Sequence, residues 1–246
     1  MTKAYEDAEF MLSDEARSLR LLSEYLEPRA RLKELNVHRA LIFWGSARLR
    51  PIGPDPVDDA VDFYAEAREL AARMTRWTME THEPDAHYHV CTGGGPGIME
   101  AANRGAADVN RELSMGYNIE LPHEQGANAY ISDALNFEFK YFFMRKFWFM
   151  NVAKALIIFP GGFGTMDELF EMLTLIQTGK QPRIPVVLYG KNFWERLINF
   201  DVFVEMGLIA ERDIDLFYRA DSVDDAFDFL TDALAQDTVT AQSRHG

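Results

Sequence analysis

The stretch Phe159-Pro160-Gly161-Gly162-Phe163-Gly164-Thr165-Met166-Asp167-Glu168 constrains this chain most, because an apolar run of strand character enters a glycine turn and leaves it as an acidic helix start. Gly161, Gly162 and Gly164 let the backbone turn tightly and approach a ligand. The helix that follows presents unpaired amides and the positive end of its dipole. Phosphate is the natural guest of such a turn, and Glu168 stands one helical turn from it. Thr165 and Glu168 also have the T-x-x-E spacing of a capping box, in which the glutamate only reaches back to the amide of the cap residue. Spacing alone leaves both readings open.

A second unit of the same construction lies upstream. Tyr88 to Thr92 reads as a strand, Gly93-Gly94-Gly95-Pro96-Gly97 as a turn, and Ile98 to Asn110 as a helix with Met99, Ala102 and Ala106 at helical spacing. In an open α/β sheet such turns sit at the carboxyl ends of parallel strands and can converge on one ligand where the strand order reverses. Neither turn fits the dinucleotide fingerprint, since position 98 is Ile98, and neither ends in the Gly-Lys-Ser/Thr of a P-loop. A nucleoside triphosphatase and an ordinary dehydrogenase are disfavoured.

The rest of the chain continues the alternation. Ala40 to Trp44 is an apolar run of buried-strand length that meets Gly45-Ser46-Ala47-Arg48, a third loop on the same edge. A proline-rich connection, Pro51 to Pro56, leads to a helix predicted from about Val57 to Met79. Further strands are predicted at Leu113–Ile119, near Ala129–Ile131, and at Ala155–Phe159, Pro185–Tyr189 and Leu216–Tyr218; further helices at Phe137–Asn151, Thr165–Thr178, Asn192–Met206 and Val223–Leu234. The loop from Glu120 to Asn128 is long enough to shape a pocket. These units predict an α/β, Rossmann-like, doubly wound and mainly parallel sheet with helices on both faces. At 246 residues and 48% hydrophobic content, one large domain over residues 37–236 is expected. A helical extension precedes it at 1–36, interrupted near Pro28 and acting as a lid or brace. A flexible tail follows at 237–246.

The formal net charge of −14 argues against nucleic acid or an anionic membrane surface as a partner. No apolar run approaches the roughly 20 residues that span a bilayer. Cys91 is the single cysteine, and the acidic start, with Glu6, Asp7 and Glu9, lacks a basic region followed by an apolar core. A reducing cytoplasm is the expected setting. His82, His87 and His89 have no cysteine beside them, and no metal site or cofactor is expected.

Gly93 to Glu100, the Met144-Arg145-Lys146 triplet and the P-G-G-x-G-T-x-x-E element from Pro160 to Glu168 stand in the order seen in one family. Over roughly residues 38 to 235 the chain resembles the Lonely Guy (LOG) phosphoribohydrolases. Pro122-His123-Glu124-Gln125, the aromatic run Phe137 to Phe149 and the N-terminal helix are similar to the longer bacterial branch. The resemblance implies hydrolysis of the N-glycosidic bond of a nucleoside 5′-monophosphate, a cytokinin riboside monophosphate or an AMP-like one, to free base and ribose 5-phosphate.

Under that reading Glu168 stabilises the oxocarbenium-like charge and orients or deprotonates the attacking water. Arg145 aligns ribose and carboxylate. Gly94, Gly95, Gly161, Gly162, Gly164 and Thr165 hold the phosphate, Ser46 offers a hydroxyl, and Lys146 complements the phosphate or caps a helix. Arg48 is either near the same edge or in solvent, and Asp167 and Glu171 suit an acidic helix start. His123, Asn128 and Tyr130 are candidates for contact with the base. The aromatic run is expected to serve mainly a homodimer or larger homo-oligomer contact. Some members of the family carry the label lysine decarboxylase, but no lysine here is marked as a Schiff-base partner for pyridoxal phosphate. The alternative is a non-catalytic nucleotide or molybdenum-cofactor carrier on the same scaffold.

Overall fold

The computed structural model describes residues 2–53, 61–120 and 126–243. Pro54 to Pro56, the predicted helix start at Val57, the loop residues Pro122, His123, Glu124 and Gln125, and the tail residues 244–246 lie outside that range.

Strands β1 (Ala40–Trp44), β2 (His89–Thr92), β3 (Ser114–Ile119), β4 (Asn136–Phe139), β5 (Ala153–Ile158), β6 (Val186–Tyr189) and β7 (Tyr218–Ala220) form one sheet of order β4-β3-β2-β1-β5-β6-β7. Every neighbouring pair is parallel. The chain moves outward from β1 to β4 and then crosses back to β5 on the other side of β1. The strand order therefore reverses between β1 and β5, where an open α/β sheet places its ligand crevice.

Helices α1 (Ala8–Leu12), α2 (Arg17–Glu34), α3 (Phe63–Thr81), α4 (Ile98–Asn110), α5 (Phe142–Val152), α6 (Phe163–Gln177), α7 (Lys191–Leu197), α8 (Phe200–Glu205) and α9 (Val223–Ser243) complete the described architecture. Alternation along the strands sends one set of side chains to each face. Leu41, Phe43, Ile157, Val187 and Tyr189 meet Leu70 and Met74 of α3, Ile98 and Ala102 of α4, and Ala226 and Leu230 of α9. Ile42, Trp44, Leu156, Ile158 and Leu188 meet Leu32 of α2, Trp148 and Phe149 of α5, Leu169 and Met172 of α6, and Trp194 and Phe200 of α7 and α8. Two apolar cores enclose the sheet, as the doubly wound reading predicts.

Several predicted boundaries move. The predicted strand at Ala129–Ile131 falls on a turn, and the fourth strand is Asn136–Phe139, cut from the aromatic run assigned to one helix. Asn136 and Glu138 are exposed while Phe137 and Phe139 are buried, the period-two pattern of a half-buried strand. The predicted helix Asn192–Met206 is two helices, the second capped by Asn199, whose Oδ1 accepts the Asp201 amide at 3.2 Å. Strand β7 sits two residues later than predicted, and α9 continues past Leu234.

Pro28 does not interrupt its helix: α2 runs unbroken through it. Proline removes the amide that would bond the carbonyl four residues back, that of Glu24. The Trp148 indole N–H donates to that carbonyl at 2.9 Å instead, so the lost backbone bond is replaced from α5.

Candidate active site

Three loops at the carboxyl ends of the strands are stitched into one floor. The Ser46 amide donates to the Pro160 carbonyl at 3.0 Å, and the Ile98 amide donates to the Ser46 carbonyl at 3.1 Å. The loop after β1 is thus bonded to the turn after β5 and to the first turn of α4. Gly97, with φ +70°, is where this closeness demands glycine, because a Cβ there would strike the Ser46 carbonyl and Ala47.

Above this floor lies a cavity of about 750 Å³, within the usual range for small-ligand sites of about 300–1,000 Å³. Its lining includes Ser46, Gly95, Arg145, Gly162, Gly164, Thr165 and Glu168 of the predicted set, and Arg48 as well. Gly94 and Gly161 shape the turns without lining the cavity. The Ser46 hydroxyl also accepts the Arg48 amide at 3.1 Å, so it serves the turn while facing the cavity.

The register of α6 decides between the two readings of Thr165 and Glu168. Gly162 is the N-cap and has no side-chain cap bond. Thr165 is therefore the third helical residue, and Glu168 lies in the second turn, out of reach of the cap amide. No capping box forms. The first amides of α6, at 163 to 165, fall before the first intrahelical bond and face the ligand end of the turn. Among the described residues a Cβ built on Gly162 or Gly164 meets nothing within 4 Å, so the backbone there is open to a guest. An anion fits this position by hydrogen bonding and by the helix dipole together.

Glu168 turns into the cavity wall. Its Oε1 accepts from Arg145 Nη2 at 3.3 Å, and each of the two side chains is only 11% exposed. Burial raises the Glu168 carboxyl from 4.5 to about 7; Arg145 pulls it down and Asp167 pushes it up. Desolvation outweighs the ion pair because a carboxylate removed from water loses more than one guanidinium at 3.3 Å returns. The Arg145 guanidinium also lies 5.2 Å from the centre of the Phe142 ring, which lines the same cavity.

Lys146 does not line the cavity. It pairs with Asp167 at 3.1 Å and Glu171 at 2.7 Å. Burial lowers its pKa, but the hydrogen bonds to Glu171 and Asp167 outweigh that and leave it raised. The neighbours Arg145 and Lys146 therefore tie α5 to three acids of α6. The cavity lining has no lysine among the described residues, so it offers no amine for a carbonyl cofactor.

Sequence reasoning missed a buried amide network behind the second glycine turn. Asn103 Nδ2 donates to the Met115 carbonyl at 3.0 Å, while its Oδ1 accepts from Thr92 Oγ1 at 2.6 Å and from Asn128 Nδ2 at 3.0 Å. The Asn128 amide donates to the Gly94 carbonyl at 2.8 Å, and Thr92 Oγ1 accepts the Gly94 amide at 2.9 Å. Asn128 thus fixes the glycine turn from behind, where the sequence offered it as a base contact. Tyr130 stacks with Arg104 and lies outside the cavity lining. Asn103 sits between Ala102 and Ala106 on the apolar face of α4, the one mark it leaves in the sequence, and its partners lie 11 to 25 residues away. Asn118, Asn136 and Glu138 also line the cavity, and Asn118 lies directly against the second glycine turn, where a Cβ on Gly94 would strike its side-chain amide.

Fold and site together define a class: a doubly wound α/β protein whose glycine turns border a cavity holding a buried carboxylate–guanidinium pair. A family model described as possible lysine decarboxylase matches residues 99–230, more than half of the chain, and the chain belongs to that family, which includes the LOG proteins. It is 33% identical over 84 residues to the probable cytokinin riboside 5′-monophosphate phosphoribohydrolase LOG4 of Oryza sativa subsp. japonica, covering 34% of this chain and 36% of the relative. To the cytokinin riboside 5′-monophosphate phosphoribohydrolase LOG of the same plant it is 37% identical over 68 residues, 27% of this chain and 28% of the relative. To the pyrimidine/purine nucleotide 5′-monophosphate nucleosidase of Escherichia coli strain K12 it is 30% identical over 115 residues, 42% and 24%. The matches thus span 36% or less of each of these relatives.

Two solved structures share the fold. The structural-genomics target TM1055 aligns with a TM-score of 0.51 at 18% identity, over 79% of this chain and 99% of the other. The molybdenum cofactor binding protein of Rippkaea orientalis aligns with a TM-score of 0.50 at 16% identity, over 80% and 97%.

Proposed function

We propose that this protein is a nucleoside 5′-monophosphate phosphoribohydrolase. The observation that carries the reading is the buried Arg145–Glu168 pair in the wall of a cavity whose floor is built from the glycine turns. Phosphate at the start of α6 anchors the sugar, converting binding far from the bond into placement of C1′. The C1′–N bond breaks with its electron pair leaving on the base. Glu168 faces the positive charge that develops on the ribose and receives a proton from the water whose oxygen bonds to C1′. The base takes up that proton, and the products are free base and ribose 5-phosphate. A carboxyl titrating at about 7 suits a group that must accept and release a proton near neutrality.

The names of the relatives support nucleoside monophosphates as the substrate class, and AMP and N6-isopentenyladenosine monophosphate are the first to assay. We place the reaction in the cytoplasm, in a homodimer. Phe142, Phe143 and Phe147 of α5 and Phe163 of α6, which is 97% exposed, are exposed aromatic side chains that a second copy would cover.

The test is Glu168→Gln with AMP. Wild type should release adenine and ribose 5-phosphate, while the variant should bind AMP with similar affinity and release neither. A wild-type protein that binds AMP and releases no base over many hours would be a carrier, and the hydrolase reading would be lost.

A further inference from the structure

We infer that α2 is a positioning strap for the active site, and that Glu24 and Arg31 are the two residues through which it holds the β4–α5 wall. The inference rests on the hydrolase reading for its effect on catalysis, while the contacts stand independently of it.

Three segments of the wall are gripped in order. Arg31 Nη1 donates to the Asn136 carbonyl at 3.0 Å, and its guanidinium lies 4.4 Å from the centre of the Phe137 ring. The Glu24 carboxylate accepts the amides of Lys140 at 2.8 Å and Tyr141 at 3.3 Å, just before the first turn of α5. The Glu24 carbonyl takes the Trp148 indole N–H further along α5. Asn136, Phe137, Glu138, Phe142 and Arg145 all line the cavity, so α2 touches the rear of the wall whose front faces substrate.

The path to the catalytic pair is short. Tyr141 is the N-cap of α5; its amide is held by Glu24, and its carbonyl accepts the Arg145 amide at 3.1 Å. One residue therefore joins the strap to the backbone of the arginine that meets Glu168. A carboxylate at a helix start also complements the dipole of α5. Tyr141 has no side-chain cap bond of its own, and Glu24 holds the amide of this cap residue from a distant segment, the bond that the glutamate of a capping box makes locally. The Pro28 substitution for an amide fits the same design, because it reserves the Glu24 carbonyl for Trp148.

The test compares Glu24→Ala, Glu24→Gln and Arg31→Met with wild type. In the free protein, hydrogen–deuterium exchange of amides 140–146 should speed up in Glu24→Ala and stay near wild type in Glu24→Gln, which keeps an acceptor. With AMP, Glu24→Ala should lower kcat by about 10- to 100-fold, the loss expected when a catalytic group moves by about an ångström. The acidic limb of its pH profile should also rise, because a displaced Arg145 no longer lowers Glu168 against Asp167 and Glu171, while Lys146 stays tied to those two acids. Arg31→Met should raise KM more than it lowers kcat. Faster exchange with kcat and limb unchanged would make α2 merely structural and overturn the proposal, as would unchanged exchange in Glu24→Ala. A wild type that releases no ribose 5-phosphate defeats the hydrolase reading, and the exchange data still decide whether α2 straps the wall.

Discussion

Arg145 and Glu168 meet across α5 and α6 at 3.3 Å with both side chains nearly sealed from water. Under the proposed hydrolysis this pair governs the pH dependence of the site. Glu168 titrates at about 7 because burial disfavours its charged form, and Arg145 opposes that shift. If the ionised carboxylate is the working form, kcat/KM should rise tenfold per pH unit below about 7 and level off above it. Arg145→Met removes the opposing charge, so the limb should move to higher pH and the plateau should fall by about 100-fold, as when an oriented charged donor is lost. A pH–rate series on AMP checks both, and a limb that moves down on losing Arg145 contradicts the assignment.

The same titration has a thermodynamic consequence. Glu168 has a folded pKa above its unfolded value, so between about 4.5 and about 7 the folded state holds more protons. The protein must lose stability as pH rises through that window, by about 3 kcal/mol from this group. Glu168→Gln has no proton to lose. Urea unfolding at pH 5 and pH 8, which spans most of that window, should show the wild type weakening relative to the variant by about 2.5 kcal/mol. A difference independent of pH would mean that the carboxyl is not held near neutrality.

Trp148 and Pro28 are coupled through one carbonyl. Trp148→Phe removes the donor to the Glu24 carbonyl and should cost about 1–3 kcal/mol, the penalty of an unmet acceptor partly withdrawn from water. Pro28→Ala restores the backbone amide that can bond the same carbonyl. In the double variant the helix closes on itself and part of the loss should return. A double-mutant cycle on unfolding free energies measures the coupling, and strict additivity would show that the two groups do not share an acceptor.

This pair also marks where sequence reading stops. The central strands were legible because Ala40 to Trp44 and Ala155 to Phe159 are continuous apolar runs buried on both faces, and the glycine turns because glycines cluster directly after such runs, two of them, Gly94 and Gly97, at positive φ. Pro28 pointed to a break because its compensating partner lies 120 positions away on α5. β4 was hidden in the aromatic run because only Lys140 and Tyr141 separate it from α5, with no glycine or proline between. The candidate site was legible at Glu168, Arg145 and the turns, where chemistry is written in local motifs. Asn103 and Asn128 were not, because a buried amide network is defined by partners far apart in sequence.

The glycines of the two turns should fail in different ways. At Gly97 the backbone has φ +70° and a Cβ would strike the Ser46 loop, so Gly97→Ala should cost about 2 kcal/mol or more and loosen the floor of the cavity. At Gly164 a Cβ meets nothing within 4 Å among the described residues, and the position is the second residue of a helix, where alanine is well tolerated. Gly164→Ala should therefore leave the thermal midpoint within a degree or two of wild type. Its methyl group would nevertheless stand in the space assigned to phosphate, so KM for AMP should rise at least tenfold while adenosine, which has no phosphate, binds as before. Equal weakening of AMP and adenosine would mean that the start of α6 is not the phosphate end of the site.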